Sequence, residues 1–577
     1  MNLTINEFAY LLKLYFNMSL NLLFFTVFYL TIPLSIIGYG QIFFSLFKKY
    51  RFLNNLGYAG LTGVLIICIY SYTSSFFFAH TSTHNIIFLT LGIIFFIIFN
   101  FRNQKTDLRL LFILLIIYFI GMLIFKTHDD FNYYHFQYAH YLTQMPSVLG
   151  IGHFNLGLRT PSSIFYLNSL FYLPFAKFYM FQMAAFLIFL YANMILVSKI
   201  LLINFKLEKN FLTFFYLLSF IFINIFFYRF SEHGTDRSAQ ILVFILVGEI
   251  LAYKNIQNYL EENISKIFLI MALVISLKAF YILYGLLFLI ILYQLIVSGI
   301  FLECIKKIFS NIYLYFFLFL LSLVIIVNFY NTGCLLYPVS ITCFENNIWA
   351  IPKSEVLSLN NWYELWSKAG ANPNFRVEDP ENYIKKFNWV NNWFNLYFFT
   401  KVSDFILGII FLAILIYFIF APYNSKNKIK MDLKIIYLTF GLILVLFVEW
   451  FYNHPALRYG GYCIIALTLF LSLSLKISQT KLEERKIKTR VIILLMITIT
   501  IFLGRNIKRI FNEMNIYEYK PLNNVYYQVE DKNFNIFNNM TKIIDDYEIC
   551  KSQNEKCEIK NSIKVKKIFH TYVFYKK

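Results

Sequence analysis

The chain has 577 residues, of which 59% are hydrophobic and only 14% are charged. Soluble globular domains carry about 25% charged residues, so this composition excludes a soluble protein and predicts one embedded in a membrane. The net charge of +20 would suit a nucleic-acid-binding protein. The basic residues, however, lie in short loops between apolar stretches, where the positive-inside rule expects them, and nucleic acid is therefore excluded as a partner.

The apolar stretches, taken from the N-terminus, predict a polytopic fold. Stretches that approach the roughly 20 residues of a bilayer span indicate about 14 transmembrane helices. One long stretch, 264–302, is divided at Lys278. The predicted spans are 19–47, 55–79, 84–101, 108–125, 174–198, 211–228, 238–253, 264–279, 281–302, 311–329, 402–421, 433–451, 457–475 and 490–504. The predicted fold is all-α, with a transmembrane domain at 1–504 and a small extracytoplasmic segment at 505–577.

The basic loops predict which side of the membrane each end of a span lies on. When the spans are counted alternately, the basic loops all fall on one side, which is predicted to be cytoplasmic. These loops are at 48–51, 102–109, 206–209, 254–266, 306–307, 426–430 and 481–490. Both termini and the long loops 126–173 and 330–401 are then predicted to lie on the outer face.

Two adjacent acids, Asp129 and Asp130, follow the fourth span, with His135 close behind. As N-terminal caps they would begin an amphipathic helix over about 131–144 that rests in the outer membrane interface. At that depth a carboxylate can take the proton from an acceptor hydroxyl, with His135 orienting or sharing that proton. The alternative interpretation is that the two acids only cap the helix.

A glycine-rich segment, "GIGHFNLGLRTPSS", comes next along the same loop. Its glycines predict a compact turn that presents His153, Asn155 and Arg159. An arginine in such a turn can bind a phosphate or a carboxylate. We therefore include these three residues among the candidate substrate-binding groups.

Ionisable residues near membrane depth are costly and are functional candidates by default. On the predicted outer side these are Asp236, Arg237, Lys278 and Arg458, together with His454, which lies one helical turn before Arg458. Cations there can stabilise the negative charge that grows on a phosphate leaving group. The alternative is that the cations only extend towards the interface.

Four of the seven cysteines form two short-range pairs on the predicted outer face, Cys334 with Cys343 and Cys550 with Cys557. An oxidising compartment would close each pair as a disulfide; the alternative is four free thiols. Neither segment has the spacing of a zinc site.

These motifs together resemble a known arrangement. "DDFNYYHF", "GIGHFNLGLRTPSS", "GTDR", a span with Lys278 and "HPALRYGG" recur in this order in a poorly characterised family of bacterial envelope membrane proteins, which is similar in layout to the GT-C superfamily of membrane glycosyltransferases. The resemblance covers roughly 110–458 and the tail. By position, Asp130 and His135 match the family's acid and histidine, and Asp129 fits the paired acids of GT-C loops. The sequence departs from GT-C enzymes because its acidic loop follows the fourth span rather than the first, and because its N-terminus is predicted to lie outside.

The resemblance implies a glycosyltransferase of the bacterial inner membrane whose active face is periplasmic or extracellular. Its partners would be the bilayer, a polyprenyl-phosphate-linked sugar and a glycan or lipid acceptor of the cell envelope. The acids are too few to predict a metal site, and a divalent metal is left open. The alternatives are an O-antigen-type polymerase or ligase, and a non-enzymatic transporter or flippase for a lipid-linked or anionic substrate.

Overall fold

The computed structural model describes residues 5–47, 55–100, 105–202, 210–252, 262–299, 301–420, 433–478, 484–521, 527, 529–552 and 562–576. The predicted basic loops 48–51, 206–209 and 426–430 lie outside these residues, as does Cys557. Within them, every predicted span overlaps helical structure, but 281–302 is divided among three helices and the α-helix in 174–198 begins only at Met183. Ten helices of the described residues are long and apolar enough to cross a membrane, fewer than the predicted count. The prediction of a polytopic helical protein is therefore confirmed in its coarse form.

The helices are long because the backbone of a membrane span has to satisfy its own hydrogen bonds in hydrocarbon. The α-helices are Ile5–Leu46, Leu56–Ser75, Ser82–Asn100, Lys105–Met122, Phe136–Gln144, Ser163–Leu170, Met183–Leu202, Asn210–Phe226, Gly234–Leu251, Ile264–Leu277, Phe288–Val297, Phe301–Phe309, Ile312–Thr332, Lys353–Ser367, Pro380–Ile384, Val390–Trp393, Ser403–Phe420, Leu433–Asn453, Gly461–Ser478, Glu484–Tyr517 and Asn535–Ser552. Two π-helical stretches, Phe131–His135 and Phe394–Val402, lead into α-helices.

Strands are few. Ala371–Asn372 pairs with Phe375–Arg376, and Ile563–Ile568 pairs with Thr571–Lys576, both antiparallel. The second hairpin docks on the loop near Leu149, whose backbone N–H donates to Tyr572 O at 3.1 Å and whose carbonyl accepts from Phe574 N at 2.9 Å. The C-terminal segment therefore packs against the loop that carries the acids.

The helix Met183–Leu202 lies at the centre of the bundle and is buried along almost its whole length. Close helix packing elsewhere depends on glycine. A Cβ atom at Gly40 would lie 1.9 Å from Ala59 O, and one at Gly63 would lie 1.9 Å from Ile36 O. Small residues let membrane helices approach in this way, so the first two helices form a tight pair.

One predicted span differs from the structure in its bounds, and one predicted break agrees with it. The final predicted span, 490–504, is part of a longer helix, Glu484–Tyr517, which runs through the predicted domain boundary at 504. The apolar stretch 264–302 does break at Lys278, as predicted, because this residue has extended backbone between Ile264–Leu277 and the 3₁₀ helix Ala279–Leu287.

The segment 131–144 was predicted to lie on the membrane interface, and this prediction is wrong. All residues from Phe136 to Thr143 are buried. Aromatic rings of the C-terminal segment cover this helix: Phe534 contacts the ring of Phe136, and both Phe534 and Phe537 contact the ring of His140. Sequence periodicity shows that a helix has an apolar stripe, but not that a distant segment covers its polar side as well.

The disulfide between Cys334 and Cys343 is present, as predicted. Cys550 is disulfide-bonded as well. Its predicted partner, Cys557, lies outside the described residues.

Candidate functional site

Four charged side chains from distant parts of the chain meet at one end of the helix bundle. Arg458 Nη2 lies 3.1 Å from Asp130 Oδ2, and Arg458 Nε lies 3.6 Å from Asp236 Oδ2. Lys278 Nζ donates a hydrogen bond directly to Asp236 Oδ1. We call these four residues the charge cluster. Its two acids and two cations balance, so its formal charge is zero.

Local structure explains where these groups stand. Asp236 occupies the first turn of the helix Gly234–Leu251, where the helix dipole favours a carboxylate. Lys278 projects from the break between two helical stretches. Arg458 lies in the 3₁₀ turn Leu457–Tyr459, which ends at Gly460 with a φ of 101°, a conformation that glycine adopts without strain.

Because Asp236 is buried, its charge depends on the neighbouring cations. The Asp236 side chain is only 6% exposed. Burial by itself would raise the pKa of Asp236, but Lys278 and Arg458 outweigh that effect and lower the pKa below its ordinary value. Tyr459 adds a ring face, with its centroid 4.9 Å from Lys278 Nζ and 5.3 Å from Arg458 Cζ. The cations are thus held between carboxylates and an aromatic ring.

Two histidines adjoin Asp130. His128 Nδ1 accepts a hydrogen bond from Asp130 N at 3.0 Å and lies 3.8 Å from Asp130 Oδ2. The His128 and His135 rings stack with centroids 5.3 Å apart. Burial lowers the pKa of both imidazoles, and for His128 it outweighs the opposite effect of Asp130. Both imidazoles are therefore neutral at neutral pH, the form that can accept a proton or bind a metal ion.

The two adjacent acids occupy different environments. The Asp129 side chain is 91% exposed and faces Lys126 at 3.8 Å. Asp130 stands at the N-terminus of the stretch Phe131–His135, but its side chain makes no capping hydrogen bond. The alternative that Asp130 only caps the helix is therefore wrong, because its carboxylate is bound to Arg458 instead.

A second charged network lies next to the charge cluster. Arg509 donates to Glu232 Oε1 and to Glu513 Oε1, at 2.5 Å each. Glu513 Oε2 accepts from the backbone N–H groups of Phe125 and Lys126, at 3.0 Å each. This network connects the start of the acidic loop to the helix Glu484–Tyr517.

Arg237, predicted as a substrate-binding residue, belongs to this second network. Its Nη1 lies 3.9 Å from Glu232 Oε2. His454 lies beside the charge cluster, with its ring centroid 6.0 Å from that of Tyr459. Burial, with Lys368 and Lys278 nearby, lowers the pKa of His454 to about 4.

The residues of the glycine-rich turn have partners of their own. Arg159 is buried and donates to Gly152 O at 2.9 Å and to Glu355 Oε1 at 2.6 Å. His153 Nε2 lies 3.0 Å from Trp349 O. Asn155 Oδ1 accepts from Gly157 N at 2.7 Å and caps a short 3₁₀ turn. In this structure these three side chains brace the loop, and Arg159 already has a carboxylate partner.

The predicted site residues did not include five residues that lie in or beside the two networks: His128, Glu232, Arg509, Glu513 and Tyr459. One signal was available in the spacing of Arg509 and Glu513, which are four residues apart and so share one helix face. His128 lies in the same short run of acids and histidines as His135, but only the folded structure shows that the two rings stack.

The apolar helices and the polar site at one end of their bundle define a multi-pass α-helical membrane protein. Residues 21–465 match a family described as Domain of unknown function (DUF8201), and the chain belongs to this family. The matched range includes every member of the charge cluster. No curated protein and no solved structure matches the chain.

Proposed function

We propose that the protein is a membrane glycosyltransferase that moves a sugar from a lipid-linked donor to an envelope glycan or lipid acceptor. The observation that carries this proposal is the contact between Asp130 and Arg458. Arg458 in turn contacts Asp236, which is paired with Lys278. A base for the acceptor and cations for the donor phosphate are the two things this reaction requires.

In the proposed reaction, the bond between the sugar C1 and the phosphate oxygen of the carrier breaks. A bond between C1 and the acceptor oxygen forms, and Asp130 takes the proton of the acceptor hydroxyl. The polyprenyl phosphate leaves with its electron pair, and Arg458 and Lys278 stabilise its charge. Asp236 keeps both cations in place when no substrate is bound.

The proposed active face is the outer one, in a bacterial inner membrane. This follows from the basic loops, which the positive-inside rule assigns to the cytoplasm. The loop that carries Asp130 contacts Arg458, and through Arg159 it contacts Glu355, which follows the disulfide Cys334–Cys343 in the chain. A disulfide such as Cys334–Cys343 suits an oxidising compartment, which supports the same orientation.

The test compares two neighbouring acids. Asp130→Asn removes the proposed base with little change of shape, and Asp129→Asn makes the same change on an exposed side chain that lacks a contact with Arg458. We expect Asp130→Asn to lower sugar transfer at least about 100-fold, the scale of a general base, and Asp129→Asn to leave it near the wild-type level. Transfer is measured as surface glycan in cells that lack the native gene.

Each variant is first shown to elute as a single species from size-exclusion chromatography in detergent. Equal glycan levels in well-folded Asp130→Asn and wild type would remove the proposed base. Movement of a lipid-linked substrate across the membrane of proteoliposomes, without any sugar transfer, would instead favour the transporter alternative.

A further inference from the structure

We propose that His128, Asp130 and His135 form a binding site for one divalent transition-metal ion of the Zn²⁺ type. Two imidazole nitrogens and one carboxylate oxygen are a known donor set for such ions, and they leave coordination positions open for a substrate. Hard ions such as Mg²⁺ and Ca²⁺ prefer oxygen ligands only. The site needs neither of the predicted cysteine pairs.

The three side chains are close enough to share an ion. One ligand atom from each lies within 4.8 Å of the others. Zinc binds nitrogen and oxygen at about 2.0–2.2 Å, which sets tetrahedral ligand atoms about 3.4 Å apart. A closure of about 1.5 Å or less is therefore sufficient, and the His128 side chain, which is 22% exposed, has room to supply it.

His135 gives an independent reason to expect a ligand. The residue is only 5% exposed, yet its Nε2 atom has no hydrogen-bond partner among the described residues. An unpaired buried polar atom costs about 1–3 kcal/mol, so such atoms are usually satisfied by something. A metal ion between His135 and His128 would satisfy this nitrogen.

Backbone geometry brings the two histidines onto one side. The wide π turn gives a hydrogen bond from His135 N to Asp130 O at 3.4 Å, and the His135 ring stacks on the His128 ring. Isolated π turns of this kind are frequent at functional sites. Gly234 closes the other side: a Cβ atom there would lie 3.1 Å from His135 Cε1 and 3.4 Å from His128 Cδ2.

Charge favours an anionic substrate once the ion is bound. The charge cluster by itself is neutral, so a divalent ion on Asp130 would give the site a net charge of about +2. Asp130 can keep its contact with Arg458, because a carboxylate offers two oxygens with several acceptor positions. The metal site depends on the geometry alone and would stand even if the proposed transfer reaction failed.

The experiment measures metal binding without any enzymatic assay. Full-length protein is purified in detergent, treated with chelator, and titrated with Zn²⁺ and with Co²⁺, whose visible absorption reports its ligands. We expect one ion per chain, and a higher melting temperature in the presence of Zn²⁺. Mg²⁺ at the same concentration is expected to have no effect.

Three variants locate the site. Loss of a residue that only hydrogen-bonds to a metal ligand typically lowers metal affinity 10–100-fold. Loss of a ligand itself should cost at least as much, so His128→Ala and His135→Ala should each lower Zn²⁺ affinity at least about 100-fold. The matched control is His140→Ala, which changes another buried histidine of the same segment whose Nδ1 also lacks a hydrogen-bond partner among the described residues. This control should bind Zn²⁺ as wild type does.

Wild-type protein that binds no Zn²⁺, or His128→Ala protein that binds it unchanged, would overturn the proposal. Equal loss in His140→Ala would overturn it as well. If His135→Ala fails to fold, the more exposed His128 position decides the question.

Discussion

Arg458 Nη2 lies 3.1 Å from Asp130 Oδ2, although 328 residues separate the two in the chain. Arg458 also faces Asp236 on a third segment, so one guanidinium joins the acidic loop to the start of the helix Gly234–Leu251. A delocalised, always charged group with a planar fork of donors is suited to hold two carboxylates at once. The position of Asp130 thus depends on a residue near the end of the membrane region.

The pair of Lys278 and Asp236 should show strong energetic coupling. Lys278→Met leaves the buried carboxylate of Asp236 with Arg458 alone, and we expect a loss of about 3 kcal/mol in unfolding free energy. The double variant Lys278→Met/Asp236→Asn removes both charges and should recover about 1–3 kcal/mol relative to the sum of the single changes. Unfolding of detergent-solubilised protein measures all three. Strictly additive losses would show that the pair is not coupled.

Arg509 should be far more important for stability than Arg505, although both lie in the basic start of the tail. Arg509→Ala leaves Glu232 and Glu513 without their shortest ion pair, at an expected cost of about 3 kcal/mol. Arg505 is exposed and stacks on the Tyr228 ring at 4.0 Å, so Arg505→Ala should cost about 1 kcal/mol or less. Melting temperatures of the two variants test this order, and equal values would contradict it.

Acid should destabilise the protein through its buried histidines. Burial lowers the pKa of His140 to about 4, and burial is also the main cause that lowers the pKa of His153 to about 4. An unfolded histidine has a pKa near 6.5. The unfolded chain therefore binds more protons than the folded protein below about pH 6.5. The stability present above that pH is lost as the pH falls towards about 4, and the loss is about 3 kcal/mol for each histidine.

His140→Leu should flatten this pH dependence, because leucine suits the surrounding rings of Phe136, Phe534 and Phe537 and cannot be protonated. Melting temperatures between about pH 4 and pH 7 measure the effect. Curves that run parallel for wild type and His140→Leu would contradict the assignment.

The helical architecture could be predicted because apolar length is a local property of the chain. Every predicted span overlaps helical structure, and the charged Lys278 marked a break that the structure contains. The number of crossing helices was harder to predict. Short helices such as Ile264–Leu277 are buried among their neighbours and do not need the full thickness of a bilayer.

The candidate site could be predicted only in part. Residue type and predicted side of the membrane were enough to select Asp130, Asp236, Lys278 and Arg458 as candidates. They were not enough to separate Asp130 from Asp129, or to show that His128 stacks on His135 beside Asp130. Both acids lie in a turn before the stretch Phe131–His135, where no regular period fixes which way successive side chains face.

The sequence by itself determined that this protein is a multi-pass helical membrane protein, because hydrophobic length and charge are read along the chain. Only the tertiary structure decided which charges meet. The ion pair of Asp130 with Arg458 and the stacking of His128 on His135 depend on how segments fold back on one another. In a low-dielectric interior each buried charge needs a partner within a few ångströms, and no spacing along the chain specifies that partner.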